Sequence, residues 1–410
     1  MSDFYNIDDF DFKGKTVFVR VDVNCPIDQN GKIIVSERFA AHARTIKELL
    51  EKNAKVVVLA HQGRPKQPDL IPLSQHAKAL SEHVGRDVKY VDDHYGQKAQ
   101  GVIKSLSGGE IILLENMRML EEEMLKLSPA KHAQSKLVQS LYPLAQIFVC
   151  DAFSAAHRSQ ASVVGFAKVL PSCAGRVMQS EYYNAQKVCG EPAHPNVYLL
   201  GGSKPDESFQ LMKKALADGT VDFVLLSGVI ANAALLAKGV RMGGPTEEFL
   251  RKKEYTHFVD EFKQLIASHG KKIVTPLDLA FEENGQRKEA LVGSLPQDKA
   301  FFDIGRKTAE FFSKKVSEAK TVYLKGPQGV FEKDVFGFGT KAVLQAIASS
   351  SAFSFTGGGH TSAALDKFGI SRDKISFRSL AGGALLKMLE GKKLPAIEVL
   401  RENKRLFRPV

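Results

Sequence analysis

The chain has 410 residues, too many for a single hydrophobic core, so two domains are expected. With 44% hydrophobic and 25% charged residues it has the composition of an ordinary globular protein, and no apolar run approaches membrane-spanning length. The net charge of +11 would suit a polyanion, but the basic residues alternate with acids along the chain, which argues against a nucleic-acid partner.

The first fifteen residues, MSDFYNIDDFDFKGK, are acidic and polar, unlike a secretory or transit leader. Cys25, Cys150, Cys173 and Cys189 are scattered without metal spacing, so neither a disulfide framework nor a zinc ribbon is expected. Reduced thiols in a cytoplasm fit best.

Strand-like and helix-like runs then alternate. TVFVRVDV (16–23) leads to a helix over 38–52 and to VVVLA (56–60). IILLE (111–115) leads through a helical stretch around 130–141 to IFVCD (147–151). The second half repeats the rhythm with VYLL (197–200), FVLLS (223–227), KIVTP (272–276), TVYLK (321–325) and AFSFT (352–356), with a helix over 209–216 after VYLL. Short β-rich runs separated by helices predict an α/β protein built on parallel sheets with right-handed crossovers. Two such sheets are expected, joined near 174–186.

In sheets of this class ligands bind beyond the carboxyl ends of the strands. In the first half those positions hold Asp22 and Asn24, then His61, Gly63 and Arg64, then Asn116 and Arg118, then 152–158 ending in Arg158; Arg38 opens the first helix. Arginines match carboxylate and phosphate oxygens in bidentate geometry, so this edge suits a small, multiply charged anion. Each residue alone has an ordinary structural explanation, as a turn former or a helix-face arginine. Their recurrence strand after strand does not.

In the second half the strand ends carry glycines: Gly201-Gly202 with Lys204, Gly228, the run 325–329, Gly357-Gly358-Gly359 and Gly382-Gly383. Glycines that open helices suit a nucleotide phosphate chain, and a lysine there is a point charge for phosphate. No GxxxxGK[ST] is present, and glycine turns also close many strands for steric reasons alone. An anion-binding half facing a glycine-rich half points to a phosphotransferase that must close.

Together these stretches resemble the phosphoglycerate kinase family, in its archaeal form. RVDVNCP (20–26) is similar to the family's RVDFNVP, HQGRP (61–65) to HLGRP, LLENMR (113–118) to LLENLRF and DAFSAAHRSQAS (151–162) to DAFGTAHRAHAS. GGSK (201–204) is similar to GGAK, KGPQGVFE (325–332) to NGPMGVFE and SLAGGA (379–384) to STGGGA. The order holds from about residue 13 to 400.

The resemblance implies an α/β fold of two Rossmann-like domains, each a parallel sheet flanked by helices, joined by a hinge helix. Residues 1–173 would bind 3-phosphoglycerate, 174–190 would form the hinge helix and 191–393 would bind nucleotide, with 394–410 folding back on the first domain. The activity implied is reversible phosphoryl transfer between 1,3-bisphosphoglycerate and ADP, giving 3-phosphoglycerate and ATP. Asp22, Asn24, Arg38, His61, Gly63, Arg64, Arg118 and Arg158 would hold the phosphoglycerate. Gly201, Gly202, Lys204, Gly228, Pro327, Glu332, Gly357, Gly358, Gly359, His360 and Thr361 would hold the nucleotide, with Glu332 on the ribose. Arg38 and Lys204 would converge on the moving group once the hinge closes, assisted by the backbone of Gly359 and Gly382. Mg²⁺ would arrive as Mg-ATP or Mg-ADP, with no metal held by the protein's own residues. No nucleic-acid or membrane partner is implied; a monomer is the default, though the sequence does not fix the oligomeric state.

The chain also departs from the family. His360 stands where many members have an aspartate near the metal, Ser208 where they have a second lysine and Lys325 where they have an asparagine. Pro205 follows Lys204, and STGGG has become SLAGG, so a positive φ at Ala381 would cost order. These changes leave open a second reading, a non-catalytic member that binds phosphoglycerate or nucleotide.

Overall fold

Fully buried strands read as continuous apolar runs, and the chain spends its β-branched residues on them. A computed structural model describes residues 3–409. The chain divides into two compact units, Met1–Tyr182 with Lys392–Val410, and Tyr183–Gly391. Residues 1, 2 and 410, which fall within the expected first domain and tail, lie outside the described residues. Among the described residues no helix is long and apolar enough to cross a membrane.

The first unit holds six parallel strands: β1 (Thr16–Arg20), β2 (Lys55–Leu59), β3 (Lys89–Val91), β4 (Ile111–Leu114), β5 (Ile147–Cys150) and β6 (Ser172–Ala174). Their order is β3-β4-β2-β1-β5-β6. The chain leaves β1 toward one side and returns on the other at β5, which makes the β1/β5 border the topological switch point. Val17, Val19, Val56, Val58, Ile147 and Val149 form the centre of its core. The terminal helix Pro395–Leu406 packs here: Asn403 donates to the Ala167 and Leu170 carbonyls and accepts from Ser172 N–H.

The second unit holds β7 (Asn196–Leu200), β8 (Phe223–Leu226), β9 (Ile273–Val274), β10 (Asp278–Glu283), β11 (Gln286–Leu291), β12 (Phe301–Ile304), β13 (Thr321–Lys325), β14 (Phe353–Gly357) and β15 (Phe377–Ser379). Six of these form a parallel sheet, β15-β14-β13-β7-β8-β9, with its switch point between β7 and β13. The architecture is thus two parallel-sheet α/β units.

Several local expectations need correction. The second unit is not wholly parallel, because β11-β10-β12 form a separate antiparallel sheet. Its hairpin turns at Asn284-Gly285, both at positive φ, the Asn-Gly signature of a tight β-hairpin. The stretch 130–141 is two short helices, Pro129–His132 and Lys136–Leu141, because Ser135 stops one and caps the next through Val138 N–H. The helix after β7 begins earlier than expected, at Pro205, since proline is well suited to a helix's first position. For the same reason Pro205 costs no intrahelical hydrogen bond.

Candidate functional site

In the first unit, the loops after β1, β2, β4 and β5 bring charged side chains to the carboxyl edge of the sheet. Asp22 is buried and organises one group. Its Oδ2 accepts from Arg38 Nη1 at 2.6 Å and from the Ser154 hydroxyl, and its Oδ1 accepts from Asn24 N–H at 3.1 Å. Burial raises the Asp22 pKa, but the Arg38 guanidinium above all, helped by the Ser154 hydroxyl, outweighs it and holds the carboxyl well below the usual range. Asn24 Oδ1 accepts from Gly63 N–H at 2.7 Å. Gly63 has φ +76°, and a Cβ there would overlap the Asp69 carbonyl oxygen, so only glycine fits.

A second group lies beside it. Arg20 ends β1 fully buried, with Nε on Ser162 Oγ at 2.9 Å and Nη2 on His61 Nδ1 at 3.0 Å. A guanidinium only donates, so His61 Nδ1 accepts and the neutral ring keeps its proton on Nε2. Burial, with Arg20 next, pushes the His61 pKa well below its ordinary value. Glu123, also buried, accepts from the amide and hydroxyl of Ser162 and so ties Arg20 to a negative charge. Arg118 has Nε and Nη2 buried without a partner among the described residues. Burial and then the neighbouring Arg158 and Arg20 lower its pKa to about 10. A buried guanidinium with unmet donors is an anion receptor waiting for oxygen atoms.

Asp22, Asn24, Arg38 and Gly63 are therefore one bonded network, and His61 and Arg118 lie in the adjoining arginine cluster. Arg158 is exposed, with Nε 3.3 Å from His157 Nε2. Arg64 is also exposed, and its side chain meets no partner among the described residues. Sequence reasoning missed Arg20, Glu123 and Ser162, and reached Ser154 only as a member of the run 152–158. An arginine closing an otherwise apolar β-strand was the available signal for Arg20; Glu123 sits in a run of three glutamates and carries no signal of its own.

In the second unit a cavity of about 920 Å³ opens at the β7/β13 switch point. All of the expected nucleotide residues line it: Gly201, Gly202, Lys204, Gly228, Pro327, Glu332, Gly357, Gly358, Gly359, His360 and Thr361. Gly382 lines it too. Four helices start at its wall, Pro205–Ala217, Gly228–Ala237, Gly359–Lys367 and Gly383–Leu389. A helix start leaves N–H groups without intrahelical partners and carries the positive end of the helix dipole, so helix starts that line one cavity suit phosphate. Lys204 caps the first of them, exposed. The two central strand ends meet closely: Gly201 N–H donates to Lys325 O and Gly202 N–H to Pro327 O, both at 2.9 Å, and a Cβ on Gly201 would overlap the Pro327 carbonyl oxygen.

The rest of the wall is apolar, with Pro245, Phe249, Leu279 and Phe301 beside the polar Asn232 and Thr246. None of these was anticipated, since Leu279 and Phe301 come from the antiparallel sheet that the sequence reading did not contain. His360 is exposed, with Nδ1 3.8 Å from Glu332 Oε1. Ala381 is absent from the positive-φ residues and donates its N–H to Ser379 Oγ at 3.1 Å, so the SLAGG sequence carries no backbone strain there. Among the described residues no cluster of three or more His, Cys, Asp or Glu is placed to hold a metal ion.

Residues 7–392 match the family model described as phosphoglycerate kinase. The phosphoglycerate kinase of Methanothermus fervidus is 43% identical over 406 residues, covering 99% of this chain and 98% of that protein. That of Methanobacterium bryantii is 44% identical over 402 residues, covering 98% of each. The crystal structure of phosphoglycerate kinase from Pyrococcus horikoshii OT3 superposes with a TM-score of 0.87 at 37% identity, covering 98% of this chain and all of that one.

Proposed function

The chain belongs to the phosphoglycerate kinase family, and on that premise we propose how its two units divide the reaction. It is a phosphotransferase with a carboxyl acceptor, moving a phosphoryl group between 1,3-bisphosphoglycerate and ADP to give 3-phosphoglycerate and ATP in glycolysis. The first unit takes the phosphoglycerate and the second the nucleotide; the helix Arg176–Cys189, which passes from one unit into the other, is the connecting hinge. The observation that carries this division is the convergence of four helix starts and Lys204 on one cavity, while the other unit offers buried arginine donors.

In the ATP-forming direction the acyl P–O bond breaks as a β-phosphate oxygen of ADP takes the phosphoryl group, and the carboxylate of 3-phosphoglycerate leaves. No general base is needed in either direction, because both the phosphate and the carboxylate are already anionic. The protein's work is alignment and fixed positive potential on the equatorial oxygens. Arg38 supplies it from the first unit, already oriented by Asp22, and Lys204 from the second. His61 Nε2–H and Arg118 hold the phosphoglycerate. The Gly359 and Gly382–Gly383 amides face the nucleotide phosphates. Mg²⁺ enters as part of the nucleotide substrate, held by phosphate oxygens and water, as this ion often is. The free cysteines, of which Cys25 and Cys150 are pushed by burial to about 11 and about 12, suit the cytoplasm we assign.

The test is phosphoryl transfer from Mg-ATP to 3-phosphoglycerate, coupled to reduction of the acyl phosphate. Turnover on the order of 1–100 s⁻¹ or more is expected. Tight phosphoglycerate binding without turnover would make the chain a binding protein instead.

A further inference from the structure

Lys325 is the last residue of β13, at the centre of the second unit's sheet. Its side chain is only 12% exposed and lines the same cavity as Lys204. The ammonium lies 3.1 Å from Glu207 Oε2 and 3.2 Å from the hydroxyl of Ser208, a residue that is itself fully buried. Those partners occupy two of its three N–H groups. Burial lowers the Lys325 pKa, Glu207 opposes that, and Lys204 lowers it further, which places the two ammonium groups within electrostatic reach of each other.

Two lysines directed into one cavity repel, and Glu207, itself 39% exposed, is a partial counterweight. That arrangement costs stability unless an anion with several charged oxygens enters between them. The starts of the three longer helices around the same space, at Pro205, Gly228 and Gly359, add positive potential, so the local field favours such an anion. Glu207 and Ser208 belong to the first turns of the helix that Lys204 caps. The helix that presents one lysine therefore also holds the other.

We infer that Lys325 is a second phosphate-holding cation of the nucleotide cavity, seated by Ser208 and exchanging Glu207 for a nucleotide phosphate oxygen. The inference rests on the assignment of this cavity to nucleotide. It gives the Lys325 and Ser208 departures a single explanation: an ammonium delivered from β13 stands against the Ser208 hydroxyl, where a lysine at position 208 would otherwise begin. Lys325 is thus a binding residue, and the Glu207 pairing sets the cost of engaging it.

Calorimetric titration of the full chain with ADP and, separately, with adenosine tests this without turnover. Lys325→Met is expected to weaken ADP about 10- to 100-fold, the worth of a charge-assisted hydrogen bond, and to leave adenosine unchanged. Lys325→Gln removes the charge while keeping a donor toward Ser208, and serves the same test should the methionine variant not fold. Ser208→Lys combined with Lys325→Asn, which moves the ammonium across that contact, is expected to recover ADP binding. Unchanged ADP affinity in the two charge-removing variants overturns the inference and leaves the nucleotide assignment standing. Equal losses for ADP and adenosine also overturn it, making Lys325 structural. A wild-type chain that binds neither ligand overturns the assignment itself, and the inference with it.

Discussion

On the proposed reading, the two units meet anions by opposite means. The first does it with side chains: Arg20, Arg38, Arg118 and His61 converge, and Asp22 and Glu123 are buried among them to balance the charge. The second does it with backbone, through glycines at strand ends and four helix starts, and adds only Lys204 and Lys325 as cations. The difference follows from the ligands proposed. A small, rigid acid carrying charge at both ends needs directional donors that fix its orientation. A phosphate chain with many equivalent oxygens is served by a dense field of N–H groups that close backbone approach makes possible. Side-chain recognition leaves strongly perturbed ionisable groups behind; backbone recognition leaves close-packed glycines, here Gly201, Gly228 and Gly326, where a Cβ would overlap neighbouring backbone.

The largest test of this contrast removes one cation from each unit. Arg38→Ala and Lys204→Ala are each expected to lower turnover on the order of 10³-fold if both act, as proposed, on charge in the transition state. Binding should separate them: Arg38→Ala weakens 3-phosphoglycerate and spares ADP in equilibrium titrations, and Lys204→Ala does the reverse. Near-normal turnover in either variant would remove that residue from the reaction. A smaller effect is expected where the second unit depends on the absence of a side chain. The Cβ of Gly201→Ala meets the Pro327 carbonyl and the Ser227 hydroxyl, so β7 and β13 must part. A loss of about 1–3 kcal/mol in urea unfolding, with weakened ADP binding, is expected from such overpacking. Gly244→Ala, where a Cβ meets nothing within 4 Å, is the matched control, and equal effects from both would refute the close-approach argument.

How far the sequence revealed this follows the same division. The parallel strands were legible because fully buried strands are apolar runs, and β1, β2, β5, β7, β8 and β13 all lie where such runs predict. The short edge strands β3, β6 and β15 were not, since three residues carry too little pattern to separate from a loop. The β10–β11 hairpin was missed although Glu283-Asn284-Gly285-Gln286 spells its turn, because the α/β rhythm led to expecting only helices between strands. The glycines at strand ends, legible from spacing alone, all line one cavity. Its apolar wall is assembled from distant segments around Thr246, Leu279 and Phe301, and no local spacing announces that. Glu123 was invisible for a similar reason, since only folding brings it to Ser162 and Arg20.

The last test concerns acid, and its effect grows with each pH unit. Burial holds His76 at about 4, and burial with Arg20 holds His61 well below its ordinary value, both in the first unit. Their unfolded pKa is about 6.5, so below that pH the unfolded chain takes protons the folded unit refuses. Stability of the first unit should therefore be level above pH 6.5 and fall as pH drops toward 4, by about 1.4 kcal/mol per pH unit for each histidine. Asp303 in the second unit runs the other way: burial raises it to about 6, against about 3.9 unfolded, so the folded unit takes its proton first and gains stability as pH falls through that window. Hydrogen exchange, corrected for intrinsic rates and read separately on peptides from β1–β5 and from β7–β13, should show protection declining with acid mainly in the first unit. His76→Gln should remove part of that slope and leave the second unit's profile unchanged. Parallel pH profiles in the two units would mean that the buried histidines of the first unit do not set its acid sensitivity.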